Sequence, residues 1–340
     1  MAPSLPSSPS CWHSALLLAM LVLVIMDQVA MAYLDDDIEV VWGDDHSFFY
    51  MDDAGDDEIL ALCLDETHGS GFHTKEAYLY ARFDVDLMLV PDNSAGTVTT
   101  LYVSRSIFHH RHASAPCQGA VTVPSPRHVG CELTYACVNL IGRCAQLMPE
   151  DVPWDYHDEV DLEFLGNVTG EPYTLHTNIF ANGVGNREEQ FRLWFDPTAD
   201  FHTYSIDWNP KRITILVDGV PIRSFRNKEE HGVAFPTWQK MRLHGSLWNA
   251  DDWATQGGRV KTDWSGAPFF ARYRNLRASW CRPSPGVAWC GDEPPGSTWF
   301  ERGLDAAALR RARDAHMIYD YCKDLQRYKG SGLPKECVVD

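Results

Sequence analysis

The sequence predicts an all-β protein, an antiparallel β-sandwich of the jelly-roll type with a short helical extension at its C-terminus. Three observations carry that prediction. Short segments of alternating apolar and polar residues recur along the chain, with Gly, Pro, Asn and Asp in the gaps between them. The strand–helix–strand rhythm of a parallel sheet is missing. At 340 residues, with 45% hydrophobic and 12% aromatic content, the chain can bury a large core.

The N-terminus reads as a leader. Ala15 to Met26 is apolar for about a dozen residues, too short for a membrane span. Ala30-Met31-Ala32 fits a small-x-small cleavage site, so residues 1–32 are expected to be a secretory signal and the mature chain to start at Tyr33. The segment ahead of the apolar run carries only His13, which leaves a retained signal anchor as the alternative. A formal charge of −18 argues against nucleic acid and anionic membrane surfaces as partners. Ten cysteines in a secreted chain suggest disulfides. Cys63 stands apart from the others and is expected to be a buried thiol.

Asp35 to Asp57 is acidic, as Asp-rich turns would be, with calcium binding the lesser alternative, and is interrupted by the strand-like Ile38 to Trp42. Leu60 to Leu64 reads as a strand, and Gly69-Ser70-Gly71-Phe72-His73-Thr74-Lys75 as a glycine-punctuated turn leading into another. Tyr78 to Val90 and Gly96 to Ser104 alternate. Periodicity stops between residues 105 and 153, where His109, His110, His112, Pro116, Pro124, Pro126 and four cysteines gather. A loop of that length is unusual inside a compact domain. An insertion, specifically retained non-coding sequence, is the preferred reading; a genuine loop and a zinc site are the others. The zinc site is least favoured because the spacings lack paired ligand elements.

His157-Asp158-Glu159-Val160-Asp161-Leu162-Glu163-Phe164-Leu165-Gly166 carries the chemistry. As a strand it points Glu159, Asp161 and Glu163 one way and Val160, Leu162 and Phe164 the other. Three like charges side by side repel and gain nothing structurally. Cleavage of a glycosidic bond needs a carboxylate as nucleophile or base and a carboxyl group as acid. A middle Asp161 can orient a neighbour and raise its pKa. Along the strand the Cα atoms of Glu159 and Glu163 stand roughly 13 Å apart, so spacing alone leaves the stereochemistry open.

This decapeptide resembles the signature of the plant xyloglucan endotransglucosylase/hydrolases, a branch of glycoside hydrolase family 16, with Val160 and Leu162 where the usual form has Ile and Phe. Gly69 to Lys75 is similar to another family segment, with Thr74 in place of Ser. The resemblance implies a concanavalin-like jelly roll over residues 33–280 and a disulfide-stapled extension over residues 281–340. It implies Glu159 as nucleophile, Glu163 as general acid/base and Asp161 as helper, with retention of configuration. The disulfides Cys281–Cys290 and Cys322–Cys337 also match the family's pattern.

Downstream, Asn167-Val168-Thr169 is a glycosylation sequon in a turn. Leu175 to Phe180 is the next strand, and its alternation sets His176 and Asn178 beside the carboxylates; Thr177 between them is a further candidate contact. Asn186, Arg187 and Glu188, on a polar turn, are sugar contacts by resemblance. Phe191 to Phe195, His202 to Trp208 and Ile213 to Val217 read as strands, closed by a hairpin at Val217 to Ile222. Ser246 to Thr255 sets Trp248 and Trp253 around polar residues, a composition suited to stacking on pyranose faces. Resemblance makes Trp253, Ala254 and Gly258 sugar contacts and leaves Trp248 divided between cleft and core. Leu304 to Cys322 is helical in composition. In the tail, Tyr319 and Arg327 match family positions on the acceptor side.

The expected protein is a secreted cell-wall enzyme that cleaves the β-1,4-glucan backbone of xyloglucan and joins it to another xyloglucan chain or oligosaccharide. It is expected to work as a monomer, without cofactor or metal and away from membranes. Predominant hydrolysis, or glucan binding without catalysis if the insertion disables the site, are the alternatives.

Overall fold

The computed structural model describes residues 34–105, 156–280 and 303–339. The expectations placed on the signal segment 1–32, on the insertion beyond Arg105, and on Cys281 and Cys290 lie outside them. Two antiparallel sheets face each other. The first has eight strands in the order β1 (Ile38–Trp42), β4 (Ser70–Thr74), β13 (Arg242–Asn249), β6 (Thr97–Ser104), β7 (Glu159–Leu165), β8 (Thr174–Phe180), β9 (Glu189–Phe191) and β15 (Met317–Asp320). The second has seven, ordered β12 (Val220–Arg226), β11 (Arg212–Val217), β10 (His202–Asn209), β5 (Ala81–Met88), β14 (Phe269–Trp280), β3 (Glu58–Leu64) and β2 (Ser47–Met51).

Alternation decides which faces meet. In β5, Ala81, Phe83, Val85 and Leu87 are fully buried while Arg82, Asp84 and Asp86 lie on the other face. In β7, Val160, Leu162 and Phe164 point into the same core. Large rings from both sheets fill the space between. Phe164 meets Tyr204 edge-on at 4.7 Å, and Phe72 meets Tyr273 at 5.1 Å, both favoured aromatic geometries. The Tyr273 hydroxyl donates to the Thr100 carbonyl at 2.9 Å, so this buried polar atom is satisfied across the sandwich. Cys63 is a buried free thiol whose pKa burial pushes up to about 12, far from reactive.

The structure departs from the sequence reading in four elements. The longest strand among the described residues, β14, has no clear alternation in the sequence, because a bulge between Arg274 and Arg277, with Asn275 at φ 52°, shifts its phase. Edge strand β2 shows no alternation: Phe48, Phe49, Tyr50 and Met51 are all exposed. The strand expected at Phe191 to Phe195 is instead β9, ending at Phe191, after which the Arg192 amide donates to the His316 carbonyl. The helix expected through Cys322 stops at His316. Helix α2 (Ala306–His316, after the short α1 at Leu34–Asp37) is capped by Asp305, whose carboxylate accepts from the Ala307 and Ala308 amides. The following residues extend the first sheet as β15, so edge pairing overrides helical composition.

The extension is bolted to that sheet by charge. Arg223 of β12 is buried, donates to Thr177 Oγ1 at 2.7 Å and to the Arg187 carbonyl, and lies 3.8 Å from the buried Glu189 carboxylate. Arg313 of α2 reaches the same carboxylate at 2.6 Å and Asp320 at 3.2 Å. The Cys322–Cys337 disulfide closes the tail, and Glu336 receives Arg187 at 2.5 Å. Removing one partner of such a buried cluster strands the others. Arg223→Ala is therefore expected to destabilise the fold by about 3–5 kcal/mol in urea unfolding, and Arg313→Ala, at the more open end, by clearly less. Equal losses from the two variants would show that burial does not rank these ion pairs.

Candidate active site

The site forms on the cleft face of β7, and neighbouring strands supply its walls by register. Ser104, Tyr102 and Thr100 of β6 stand opposite Glu159, Asp161 and Glu163. On the other side the same three carboxyl groups face Phe180, Asn178 and His176 of β8. Trp42, Trp248 and Trp253 complete a cleft of about 260 Å³ that includes all three carboxyl groups. A polar row also crosses the sheet from Asn178 through Asp161 and Tyr102 to His244, His73 and Glu39. His244 stacks flat on Tyr102 at 4.7 Å, and His73 Nε2 lies 2.5 Å from Glu39. Burial pushes the His244 pKa down to about 3 and lowers that of His73, so this row backs the carboxyl groups without adding charge.

Electrostatics gives each carboxyl group a different state. Burial raises all three pKa values. The hydrogen bond between Glu159 and Asp161 raises Asp161 and lowers Glu159, so within that pair the shared proton sits on Asp161, although burial still holds Glu159 up at about 8. Ser104 also donates to Glu159. Glu159 Oε2, by contrast, makes no hydrogen bond, which leaves one carboxylate oxygen with its lone pairs free. Glu163 is pushed up to about 8 by burial and then by Asp161, so it holds a proton near neutrality. The most open of the three, it has a side-chain exposure of 23%. A Glu159 with hydrogen-bond donors on one side and an unpaired Oε2 thus shares one cleft with a more open, protonated Glu163, a pair suited to acid-assisted nucleophilic displacement.

The other candidate residues fall into two groups. His176 accepts from Gln190 Nε2 at Nδ1 (3.0 Å), which turns its Nε2–H toward Glu163, 3.8 Å away. Burial pushes its pKa down to about 4, so it stays neutral beside the acid. Asn178 accepts from the Ile179 and Arg187 amides through Oδ1 and turns its NH₂ toward the cleft that it lines. Trp253 lines the cleft at 37% exposure, edge-on to His176. Arg327 donates to Glu188 at 2.5 Å, to Asn186 at 2.8 Å and to the Tyr319 hydroxyl at 3.3 Å, drawing Asn186, Glu188, Tyr319 and Arg327 into one exposed polar cluster. Those hydrogen bonds overcome desolvation and hold Glu188 below its ordinary pKa.

Four candidates point elsewhere. Thr177 lies between the sheets, donating to the Glu189 carbonyl and accepting from Arg223, because alternation turns it away from His176 and Asn178. Arg187 is buried, with its guanidinium on the Ile179 and Val184 carbonyls and on Glu336, so it fastens the tail and is closed to sugar. Ala254 packs against Val98, Leu165 and Ala250. Gly258 serves its turn: φ is +80°, and a Cβ there would sit 2.2 Å from the Asp252 carbonyl. The sequon residue Asn167 donates to the Pro172 carbonyl in the half-buried turn after β7.

Sequence reasoning missed Trp42, Thr100, Tyr102, Phe180 and Ser246 as cleft residues. The signal was present for Thr100 and Tyr102, which share a face by alternation in β6; Trp42 and Ser246 needed the strand order.

A jelly-roll sandwich whose cleft sets three carboxyl groups on one strand between tryptophans belongs among the glycoside hydrolases. Residues 34–112 and 144–266 match the profile of the glycosyl hydrolases family 16, and residues 294–337 match that of the xyloglucan endo-transglycosylase C-terminus. The protein is thus a family 16 enzyme, and within that family it belongs to the plant xyloglucan endotransglucosylase/hydrolases. It is 41% identical to xyloglucan endotransglucosylase/hydrolase protein 22 of Arabidopsis thaliana, over 95% of this chain and 98% of that one. It is 44% identical to xyloglucan endotransglucosylase protein 1 of Diospyros kaki, over 88% and 86% of the respective chains. A β-glucanase structure from Bacillus licheniformis aligns at 18% identity and a TM-score of 0.45, covering 72% of this chain and 94% of that one.

The raised pKa of Glu163 has a thermodynamic signature. Unfolded, this carboxyl group ionises near 4.5; folded, it keeps its proton to about 8. The native state therefore binds more protons across that window, and stability falls as pH rises through it. Glu163→Gln, which cannot ionise, is expected to flatten the decline between pH 5 and 8 in urea unfolding. An unchanged slope would mean that Glu163 ionises normally.

Proposed function

We propose that this protein is a secreted plant cell-wall enzyme that cuts the β-1,4-glucan backbone of xyloglucan and rejoins the cut end to a second xyloglucan chain or oligosaccharide. The observation that carries the reading is the different setting of the two glutamates in one cleft: Glu159 takes hydrogen bonds from Ser104 and Asp161 and keeps Oε2 unpaired, whereas Glu163 is the most open carboxyl group and holds a proton near neutrality. In the first displacement Glu159 attacks the anomeric carbon. The bond to the leaving 4-oxygen breaks, and that oxygen takes the Glu163 proton. The incoming 4-hydroxyl then gives its proton to the Glu163 carboxylate as its oxygen attacks the same carbon, and Glu159 departs as a carboxylate. Two inversions at one carbon give net retention.

Xyloglucan as substrate, and transfer in preference to hydrolysis, draw support from the C-terminal profile and from the names of the relatives. The Asn186–Glu188–Tyr319–Arg327 cluster offers hydroxyl-binding groups beside β8 for an acceptor. His176, Asn178 and Trp253 serve the sugar nearer the carboxyl groups. Secretion rests on the leader-like residues 1–32, and among the described residues no helix is long and apolar enough to cross a membrane.

With xyloglucan and a labelled xyloglucan oligosaccharide, label is expected to enter the polymer, and Glu159→Ala to lose incorporation and new reducing ends together. Reducing ends without incorporation would establish a hydrolase; substantial turnover by Glu159→Ala would move the nucleophile elsewhere.

Residues 105–153 form an insertion between β6 and β7. The family profile passes over 113–143, which supports an insertion there, and it matches 105–112 and 144–153 on either side. A chain without residues 105–153 is expected to fold and to keep or exceed the activity of the full chain, in the same label assay. Loss of activity on deletion would make the segment a working part of the enzyme.

A further inference from the structure

The connections β1–β2 and β3–β4 meet at the cleft edge beside Trp42. The approach is close: Gly43, at φ +71°, has no room for a side chain, since a Cβ would lie 2.4 Å from the Gly69 carbonyl oxygen. The Ser70 hydroxyl donates to the His46 carbonyl at 2.8 Å. Two imidazoles and two carboxylates converge there, with no part in the chemistry described above.

Their tautomers follow from the hydrogen bonds around them. Thr67 Oγ1 lies 2.5 Å from Asp65 Oδ1 and 2.9 Å from His68 Nδ1. A carboxylate can only accept, so the single hydroxyl proton goes to Asp65. Thr67 therefore accepts from His68, and the His68 Nδ1 bears the proton. His46 Nε2 lies 3.0 Å from Asp65 Oδ2, which likewise places the His46 proton on Nε2. The remaining nitrogens then carry lone pairs, and both face one carboxylate oxygen. Asp45 Oδ1 is 3.0 Å from His68 Nε2 and 3.3 Å from His46 Nδ1, and the buried His46 Nδ1 makes no hydrogen bond.

Three lone pairs pointed at each other repel unless a cation lies between them. We infer that Asp45, His46 and His68 bind a divalent cation of the zinc class, in a clip that joins the two connections at the edge of the cleft. The donor set is right for that class: two imidazole nitrogens favour zinc over magnesium or calcium, and the carboxylate supplies the negative charge. Two of the three separations, 3.0 and 3.3 Å, suit ligands ~2.0–2.1 Å from a tetrahedral zinc, which stand roughly 3.3 Å apart. All three donor atoms lie within 4.8 Å of one another; the rings, with centroids 3.8 Å apart, would spread on binding. Asp65 and Thr67 occupy the outer positions that usually orient metal-binding imidazoles, each accepting the second ring N–H. Water or a further donor would take the fourth position.

The test is a titration of tag-free, chelator-stripped full-length protein with Zn²⁺ at pH 7 against a chromophoric chelator, with thermal unfolding in parallel. The wild type should bind one equivalent that His46→Ala and His68→Ala each lose, and Zn²⁺ should raise its unfolding temperature but not theirs. Asp65→Asn, which keeps all three ligands, should weaken binding by about 10–100-fold. Circular dichroism and transferase activity of the variants without metal check that they remain folded. No bound equivalent, as expected if the two imidazoles hold protons instead, would overturn the site. So would an equivalent that survives both histidine substitutions, which would belong to histidines elsewhere in the chain.

Discussion

Everything at the cleft depends on the two-residue period of β7. Val160, Leu162 and Phe164 occupy the core between the sheets, while Glu159, Asp161 and Glu163 occupy the opposite face. Register slip by one residue would exchange the two sets. The apolar side of that exchange alone costs roughly 5–9 kcal/mol for three buried side chains, comparable with the whole net stability of a domain. The core thus holds three mutually repelling carboxyl groups together with no help from them. It also explains why strands on either side bear the catalytic environment: once β7 is locked, pairing with β6 and β8 leaves Ser104, Tyr102, Asn178 and His176 no other place to be.

Confinement of the three groups forces them to share protons. Side by side in a partly buried cleft they cannot all ionise, and the titration belongs to the set rather than to any one of them. Asymmetry among their neighbours decides where the protons sit. Hydrogen bonds from Ser104 and Asp161 pull Glu159 down against the effect of burial, while burial raises Glu163, which has no comparable donors. The neutral histidines matter for the same reason. A cationic His244 or His176 would lower the pKa of the groups beside it and weaken the acid. Burial keeps both uncharged.

The fold class and the carboxyl groups were legible in the sequence because both rest on local alternation. β5, β6, β8 and β10 were legible for the same reason. Alternation fails where a bulge changes its phase, as in β14, and where both faces of an edge strand are open, as in β2. It also says nothing about which strands are neighbours. Trp42 and Ser246 enter the cleft only because β1, β4 and β13 lie beside β6, an order set by the packing of the whole sandwich. Thr177 and Arg187 show the converse limit. Each stands one residue from a cleft-facing or cluster residue and has a side chain that could bind a sugar. Alternation should have excluded Thr177; the burial of Arg187 depends on Glu336, nearly 150 positions away in the chain.

Those two residues nonetheless shape the site from behind. Thr177 sits between His176 and Asn178 and is held by Arg223, which is itself buried between Glu189 and the Arg187 carbonyl. Arg187 spans from Glu336 of the tail to the Ile179 and Val184 carbonyls, and its own amide fixes Asn178 Oδ1. The C-terminal extension therefore does more than bring Arg327 to Glu188 and Asn186. Through Arg313, Arg223 and Arg187 it sets the back of β8, and the front of β8 carries the groups that face Asp161 and Glu163. A family 16 sandwich without such an extension would have to hold that strand by other means. Here the C-terminal segment and the strand that borders Asp161 and Glu163 form one charged, buried unit.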